Sequence, residues 1–204
     1  MQLTPSAKGH VARTCLALAA TAAITLTGTI AAQAREHIVT SGIAPQPMGH
    51  ARFCRQLPQE CGRTRRSAAP KLTRERWDEM VRINDRVNTL VQPVTDYEYY
   101  ATEEFWTYPG QYGDCEDYVL MKRDLLMKQG WPASSLLITV VRQRDGSGHA
   151  VLTVRTTRGE FVLDNLDYRV RPWAETPYRF IRRQSASHSG RWQVVRDDRA
   201  RLGS

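Results

Sequence analysis

Residues 136–166 read LLITVVRQRDGSGHAVLTVRTTRGEFVLDNL. Three apolar runs, Leu136–Gln143, His149–Thr156 and Glu160–Leu166, are separated by Asp145-Gly146-Ser147-Gly148 and by Thr157-Arg158-Gly159, both rich in turn formers. Connections this short return a strand beside the one before it, so the spacing predicts an antiparallel meander. Downstream, Tyr178–Arg182 and Trp192–Arg196 read as further short strands. Upstream the period changes from two to between three and four. A helix begins after Thr73 as N-cap, with Trp77, Met80, Val81, Val87, Leu90 and Val91 on one face, and Pro93 ends it. A second helix starts at Asp114 or Cys115 and runs to Gln129, with Gly130 as its C′ residue and Pro132 beyond. Helices first and a meander afterwards make the fold class α+β.

The 204 residues suffice for one ordinary domain. Apolar residues at 41% and charged residues at 25% exclude both a disordered chain and a membrane bundle. Between the helices, Tyr97 to Tyr112 is aromatic-rich and holds no Arg or Lys, so it reads as a wall of the core and not as a base-stacking platform. Residues 35–71 hold several Pro, Gly, Arg and Ser with little periodicity and read as an irregular arm.

Residues 1–34 read as an address. Lys8 and Arg13 precede an apolar, small-residue run from Cys15 to Ala32, no acidic residue occurs before Glu36, and Ala32-Gln33-Ala34 gives the A-x-A cleavage pattern. The competing reading is an uncleaved anchor, which the threonines and Gly28 within the run disfavour. This divides the chain into a signal peptide at 1–34, the arm at 35–71 and a domain at 72–204. Cleavage takes Lys8 and Arg13 from the 29 Lys+Arg, leaving 27 against 21 Asp+Glu, net +6. Export sets nucleic acid aside as a partner and permits disulfides.

Three cysteines then remain. Cys54 and Cys61 flank a polar stretch containing Pro58 and are expected to pair; the alternative is two free thiols in a mobile arm. Cys115 is left over, which asks whether it is a working thiol. It lies in Gly113-Asp114-Cys115-Glu116-Asp117-Tyr118, where a helix N-terminus favours thiolate while three carboxylates oppose it. A nearby imidazolium or bound cation would resolve that conflict. His149 opens the second strand and Asp164 lies on the next. With Thr157 and Arg158 as central turn residues, Asp164 opposes Val151, one diagonal step from His149 and on the same face. A carboxylate there could hold the imidazole, and the imidazole could take the thiol proton. Gln111, shortly before the thiol, is a candidate oxyanion donor beside the Cys115 backbone N–H.

Gly113-Asp114-Cys115-Glu116-Asp117-Tyr118, Gly148-His149-Ala150-Val151-Leu152 and Phe161-Val162-Leu163-Asp164-Asn165-Leu166 resemble the bacterial transglutaminase-like cysteine proteinases, over about Phe53 to Trp192. The resemblance implies a papain-like, transglutaminase-like core with Cys115 as nucleophile, His149 as base and Asp164 as orienting acid. It implies a periplasmic or secreted cysteine endopeptidase acting on an envelope or surface protein, with biofilm adhesins the substrates of the characterised branch, and a membrane-bound regulator as a candidate partner. It also implies Ca2+ at Asp114 and Glu116, with Asp117 beside them, and no organic cofactor. Two other readings stand. A transglutaminase would use the same thioester with a lysine amine in place of water. A binding module for anionic envelope polymers would use net +6 and Arg169, Arg171, Arg179, Arg182 and Arg183. The chain has no P-loop, no G-x-S-x-G and no H-E-x-x-H, so it lacks the signatures of phosphoryl transfer, serine hydrolysis and zincin chemistry.

Overall fold

Thr156 pairs with Gly159 across the two-residue turn Thr157-Arg158, and the ladder runs without slip to Leu152 opposite Leu163. That turn sets the register of the sheet's centre. The computed structural model describes residues 1–2 and 36–199; the proposed export signal therefore lies outside the described residues. Among these, no helix is long and apolar enough to cross a membrane.

In chain order the elements are β1 (Val39–Ala44), α1 (Met48–Gln56), a 3-10 turn (Pro58–Cys61), α2 (Arg74–Leu90), β2 (Gln92–Pro93), α3 (Asp96–Tyr100), β3 (Tyr112–Gly113) and α4 (Cys115–Lys128). A 3-10 turn (Ala133–Ser135) leads into β4 (Leu136–Arg142), β5 (Gly148–Thr156), β6 (Gly159–Leu163) and β7 (Arg171–Pro172). After a third 3-10 turn (Trp173–Glu175) come β8 (Arg179–Ser185) and β9 (His188–Arg196). Seven strands form one antiparallel sheet in the order β1-β9-β8-β4-β5-β6-β7, while β2 and β3 form a small parallel pair.

Helix ends follow local chemistry. Thr73 caps α2 by accepting from the Arg76 N–H at 3.3 Å. Gly130, at φ +82°, closes α4 in the left-handed region that a side chain would disfavour. Met80 and Val87 of α2 and Leu120 and Leu126 of α4 bury against Ile138, Leu152, Val154 and Leu163 of the sheet. Each such side chain contributes about 1.5–3 kcal/mol, which fixes α2 and α4 on one face. A second cluster, including Val151, Val162, Trp173, Tyr178 and Phe180, covers alternate residues of the central strands. Strands buried on both faces read as continuous apolar runs, as Leu136–Val141 does.

Two expectations need correction. Residues 35–71 are not an irregular arm. β1 pairs with β9 as an edge of the sheet, and α1 carries buried His50 and Phe53. The sheet thus crosses the boundary drawn at residue 72. β1 lacks an alternating pattern because most of it is exposed at that edge. The Tyr97–Tyr112 segment is only partly a core wall: Trp106 is buried, but Tyr97, Tyr99 and Tyr100 are exposed around α3. The Cys54–Cys61 bridge is present, Cα–Cα 5.4 Å, and ties α1 to the following 3-10 turn.

His50 shows what the N-terminal segment adds. Its ring meets the edges of Trp106 and Trp192 at 5.1 and 5.3 Å, and its Nδ1 accepts from Trp192 Nε1 at 3.2 Å. Burial, with the Arg123 charge adding to it, lowers its pKa from 6.5 to about 4. The unfolded chain therefore takes up a proton between these values that the folded chain refuses. His50's contribution is complete above pH 6.5 and falls by about 3 kcal/mol as the pH drops to 4. Denaturant titrations at pH 7, 5 and 4 should show a loss of stability in the native chain that exceeds the loss in His50→Gln; equal pH slopes would contradict it.

Candidate active site

The chain is delivered to α4 by the β2–β3 pair, where Gln92 N–H donates to Gln111 O at 2.8 Å and Val94 N–H to Gly113 O at 3.1 Å. Gly113 is required by close approach, since a Cβ there would lie 2.9 Å from Asp117 Cβ and Oδ2. Cys115 is the first residue of α4 and half-buried. One cleft is lined by Cys115 with Asp114 and Glu116 on one side, and by Gly148, His149 and Ala150 on the other. Glu103, Glu104 and Arg182 line it too.

His149 and Asp164 meet as the register requires: His149 Nε2 and Asp164 Oδ1 are 2.8 Å apart, both residues buried. With Nε2 so engaged, Nδ1 is the ring nitrogen left for a proton from the cleft. Asp164 is held from every side. Tyr178 donates its hydroxyl to Oδ2, Leu166 N–H donates to Oδ1 at 3.0 Å, Asn84 Oδ1 accepts the Asp164 N–H at 3.1 Å, and Asn88 Nδ2 donates to the Asp164 carbonyl at 2.8 Å. Burial pushes this carboxyl's pKa up, yet the hydrogen bonds from His149, Tyr178 and Leu166 outweigh it and hold the group below its ordinary range.

The thiol faces the opposite balance. Cys115 Sγ donates to Glu116 Oε2 at 2.7 Å. Burial, then the Glu116 charge and hydrogen bond, then Asp114, raise the thiol pKa well above its usual value; the Ala150 N–H opposes them. Burial and mutual repulsion also raise the acids: Asp114 to about 6, Glu116 to about 8 and Asp117 to about 8.

The expected acidic set is divided by the structure. Asp114 is shared between two groups, one with Cys115 and Glu116, the other with Asp117 and Asp96, each with candidate ligand atoms within 4.8 Å of one another. Asp114 occupies the N-cap position without a side-chain capping bond, so it is not the cap its sequence position suggests. Asp114 Oδ1 and Asp117 Oδ2 are buried without hydrogen-bond partners. Asp96 and Asp117 instead staple the aromatic segment by accepting the Phe105 N–H and, at 2.8 Å, the Thr107 N–H. Asp96 was missing from the sequence reading; its signal was the Thr95–Glu98 capping box that opens α3. Tyr178 was read only as a strand residue.

Gln111 is not brought to the cleft. It is exposed, and its carbonyl belongs to the β2–β3 pair. The arginines also do not form a free basic patch. Arg169 and Arg171 both bind Asp167, Arg183 is buried on Glu160, and Arg182 donates to the Pro45 carbonyl. Asp167 and Glu160 thus offset two of the five charges on which an anionic-polymer module would rest.

Residues 40–200 match the family model of the bacterial transglutaminase-like cysteine proteinases, BTLCP. The chain belongs to this family of cysteine peptidases. Among solved structures, EGTA-treated Legionella pneumophila LapG is 21% identical at a TM-score of 0.51, over 60% of this chain and 68% of that one. A further LapG structure is 23% identical at 0.50, over 62% and 73%. Calcium-bound LapG is 24% identical at 0.48, over 54% of this chain and 65% of LapG, less than two thirds of its length. At such identities the likeness shows the fold, α+β with a transglutaminase-like core. No curated protein sequence matches the chain.

Removing the Tyr178 hydroxyl leaves a buried, charged oxygen of Asp164 without its donor. Tyr178→Phe should keep the fold and lose about 1.5–3 kcal/mol in urea unfolding at pH 7; an unchanged midpoint would show that the bond contributes nothing.

Proposed function

We propose that the chain is an exported cysteine endopeptidase that hydrolyses peptide bonds of an envelope or surface protein through Cys115, His149 and Asp164. The observation carrying this reading is the buried 2.8 Å contact between His149 Nε2 and Asp164 Oδ1, on a cleft whose other wall holds Cys115. His149 Nδ1 takes the thiol proton as sulfur attacks the scissile carbonyl carbon. The oxyanion forms near the first turn of α4, whose N–H groups, that of Cys115 first among them, have no acceptor within the helix. The carbon–nitrogen bond breaks as the imidazolium returns its proton to the leaving amine. Water, deprotonated by His149, then attacks the thioester and releases the acid and the thiol. Asp164 fixes the tautomer that presents Nδ1 to the thiol.

The family resemblance makes a surface adhesin the first substrate to test and the periplasm the compartment. Cys115→Ala and His149→Ala should each remove hydrolysis, and Asp164→Asn should retain a weak residue of it, since an orienting group is partly replaceable. A thiol-reactive probe near neutral pH, read by mass spectrometry, should label Cys115 in the native chain and fail in His149→Ala. Native turnover in Cys115→Ala would end the proposal.

Calcium belongs to the same reading. The residues fit it: a hard cation takes carboxylate oxygens, and Asp114 Oδ1 and Asp117 Oδ2 are buried acceptors with no donor. Asp114, Asp117 and Asp96 would hold the ion, with Glu116 beside the thiol. A bound Ca2+ supplies positive charge that offsets the acids opposing thiolate formation. LapG itself has been solved both calcium-bound and EGTA-treated.

The sign of the acid cluster gives a test. A carboxyl whose folded pKa lies above its unfolded one destabilises the fold as pH rises from 3.8 towards about 8, as Asp117's does. In EGTA at pH 7, Asp117→Asn should therefore raise the melting temperature, while in millimolar Ca2+ it should lower it relative to the native chain. A substitution that acts alike in both media, with no heat on calcium titration, would refute the ion.

A further inference from the structure

Charges of both signs line the cleft that holds Cys115, and they come from different elements. Four carboxylates, Glu103, Glu104, Asp114 and Glu116, belong to the 101–111 segment and the start of α4. The sheet contributes Arg182, the one arginine or lysine among the lining residues. The mechanism above leaves it without a part. Its Nη1 donates to the Pro45 carbonyl at 2.8 Å, which ties the side chain to the β1–α1 connection. That bond employs one of the five N–H donors of a guanidinium. Arg169, Arg171 and Arg183 each meet a carboxylate, whereas Arg182 forms no ion pair among the described residues, although four acids line the same cleft. A tethered cation with donors to spare is suited to meet an anion brought into the cleft.

The register of the sheet fixes where that anion lies. Ala150 pairs with Val140, and Val140 pairs with Arg182, so the three form one row across β5, β4 and β8. Directly opposed residues project to the same face, and all three line the cleft. Ala150 follows His149 in the chain, so the row starts beside the base. Neighbouring strands lie about 4.8 Å apart, which puts the Arg182 backbone about 10 Å from that of Ala150. An extended peptide covers that distance in about three residues. Between them stands half-buried Val140, which offers the peptide an apolar surface and no competing charge.

We propose that Arg182 is a specificity-determining residue: its guanidinium takes an Asp or Glu side chain that the substrate carries within about three residues of the scissile bond. The subsite deepens the endopeptidase reading above and rests on it. A substrate carboxylate beside Asp114 and Glu116 meets like charge, and beside Arg182 it meets the opposite one. Selection thus has a repulsive part and an attractive part. Glutamine in place of that glutamate keeps the shape and loses the ion pair.

The test uses Cys115 only as a thiol. Iodoacetyl tripeptide amides sample the residues after the scissile bond, and tripeptidyl chloromethyl ketones those before it; in both, Sγ displaces the halide. Each series carries Gly throughout except for one Glu, placed at each position in turn, with Gln counterparts that differ by a single charge. In the full native protein the best Glu probe should label Cys115 about tenfold faster than its Gln counterpart, and high salt should shrink that ratio. In Arg182→Gln, which can still donate to Pro45, the ratio should fall to about one, and Arg182→Lys should restore part of it. A native ratio near one in both series, or an unchanged ratio in Arg182→Gln, overturns the inference. A Cys115 that no probe labels would show a cleft closed to peptides and overturn it too. If Arg182→Gln does not fold, the native ratio and its salt dependence decide. Alkylation requires no hydrolysis, so a protein that keeps the Glu preference and cleaves no peptide would end the endopeptidase reading and leave the subsite standing.

Discussion

A carboxylate taken out of water must be satisfied from every direction, and in this chain Asp164 sets that demand. An unpaired buried charge would cost several kcal/mol, comparable to the whole net stability of a domain of this size. The fold answers with β5, which brings His149, with Tyr178 just ahead of β8 and with Leu166 beyond β6, while two asparagines of α2 hold the Asp164 backbone. Each of these elements must be in register for its group to arrive. The two-residue turn at Thr157-Arg158 and the packing of α2 on the sheet are thus conditions of the site as much as of the core.

The N-terminus of α4 presents the opposite problem, an excess of like charge. Two carboxylates about 5–7 Å apart repel by roughly 2–3 kcal/mol at an effective dielectric near 20, whereas a helix dipole offers at most about 2 kcal/mol. The chain relieves part of this with backbone donors: Thr107 N–H to Asp117 and Phe105 N–H to Asp96. Those same bonds draw the 101–111 segment over the start of the helix and shape one wall of the cleft. The acids therefore act as staples as well as candidate ligands. What the backbone leaves unanswered is one buried oxygen each on Asp114 and Asp117.

The legible part of the molecule was the part governed by local rules. Alternation and turn residues gave β4, β5 and β6, the Thr73 cap and Gly130 gave the ends of α2 and α4, and a two-residue turn was enough to oppose Asp164 to Val151. Those signals extend over only a few residues. β1 was illegible because an edge strand with five of its six residues outside the core carries no period. Asp96 and Tyr178 were illegible for another reason: each lies well away in sequence from the group it serves, and only the folded sheet and the stapled loop bring them close. The arginines misled in the same manner. Counted along the chain, Arg169 to Arg183 form a basic cluster; in space Asp167 and Glu160 take up three of the five.

Helix α4 carries charge in two settings, the acids of its first turn and the buried Lys122 behind them. Its first turn lies at the cleft, where charge can meet solvent, substrate or an ion, while its second and third turns lie against β5 and α2 in the core. Residues seven apart fall on the same face of a helix, so a side chain that faces the cleft at 115 is followed by one facing the core behind it at 122. The thiol and the buried lysine are thereby set about two turns apart along one face of the helix. An apolar residue at 122 would make a more stable helix. Buried without a hydrogen-bond partner, that amine has its pKa pulled down to about 7 by desolvation.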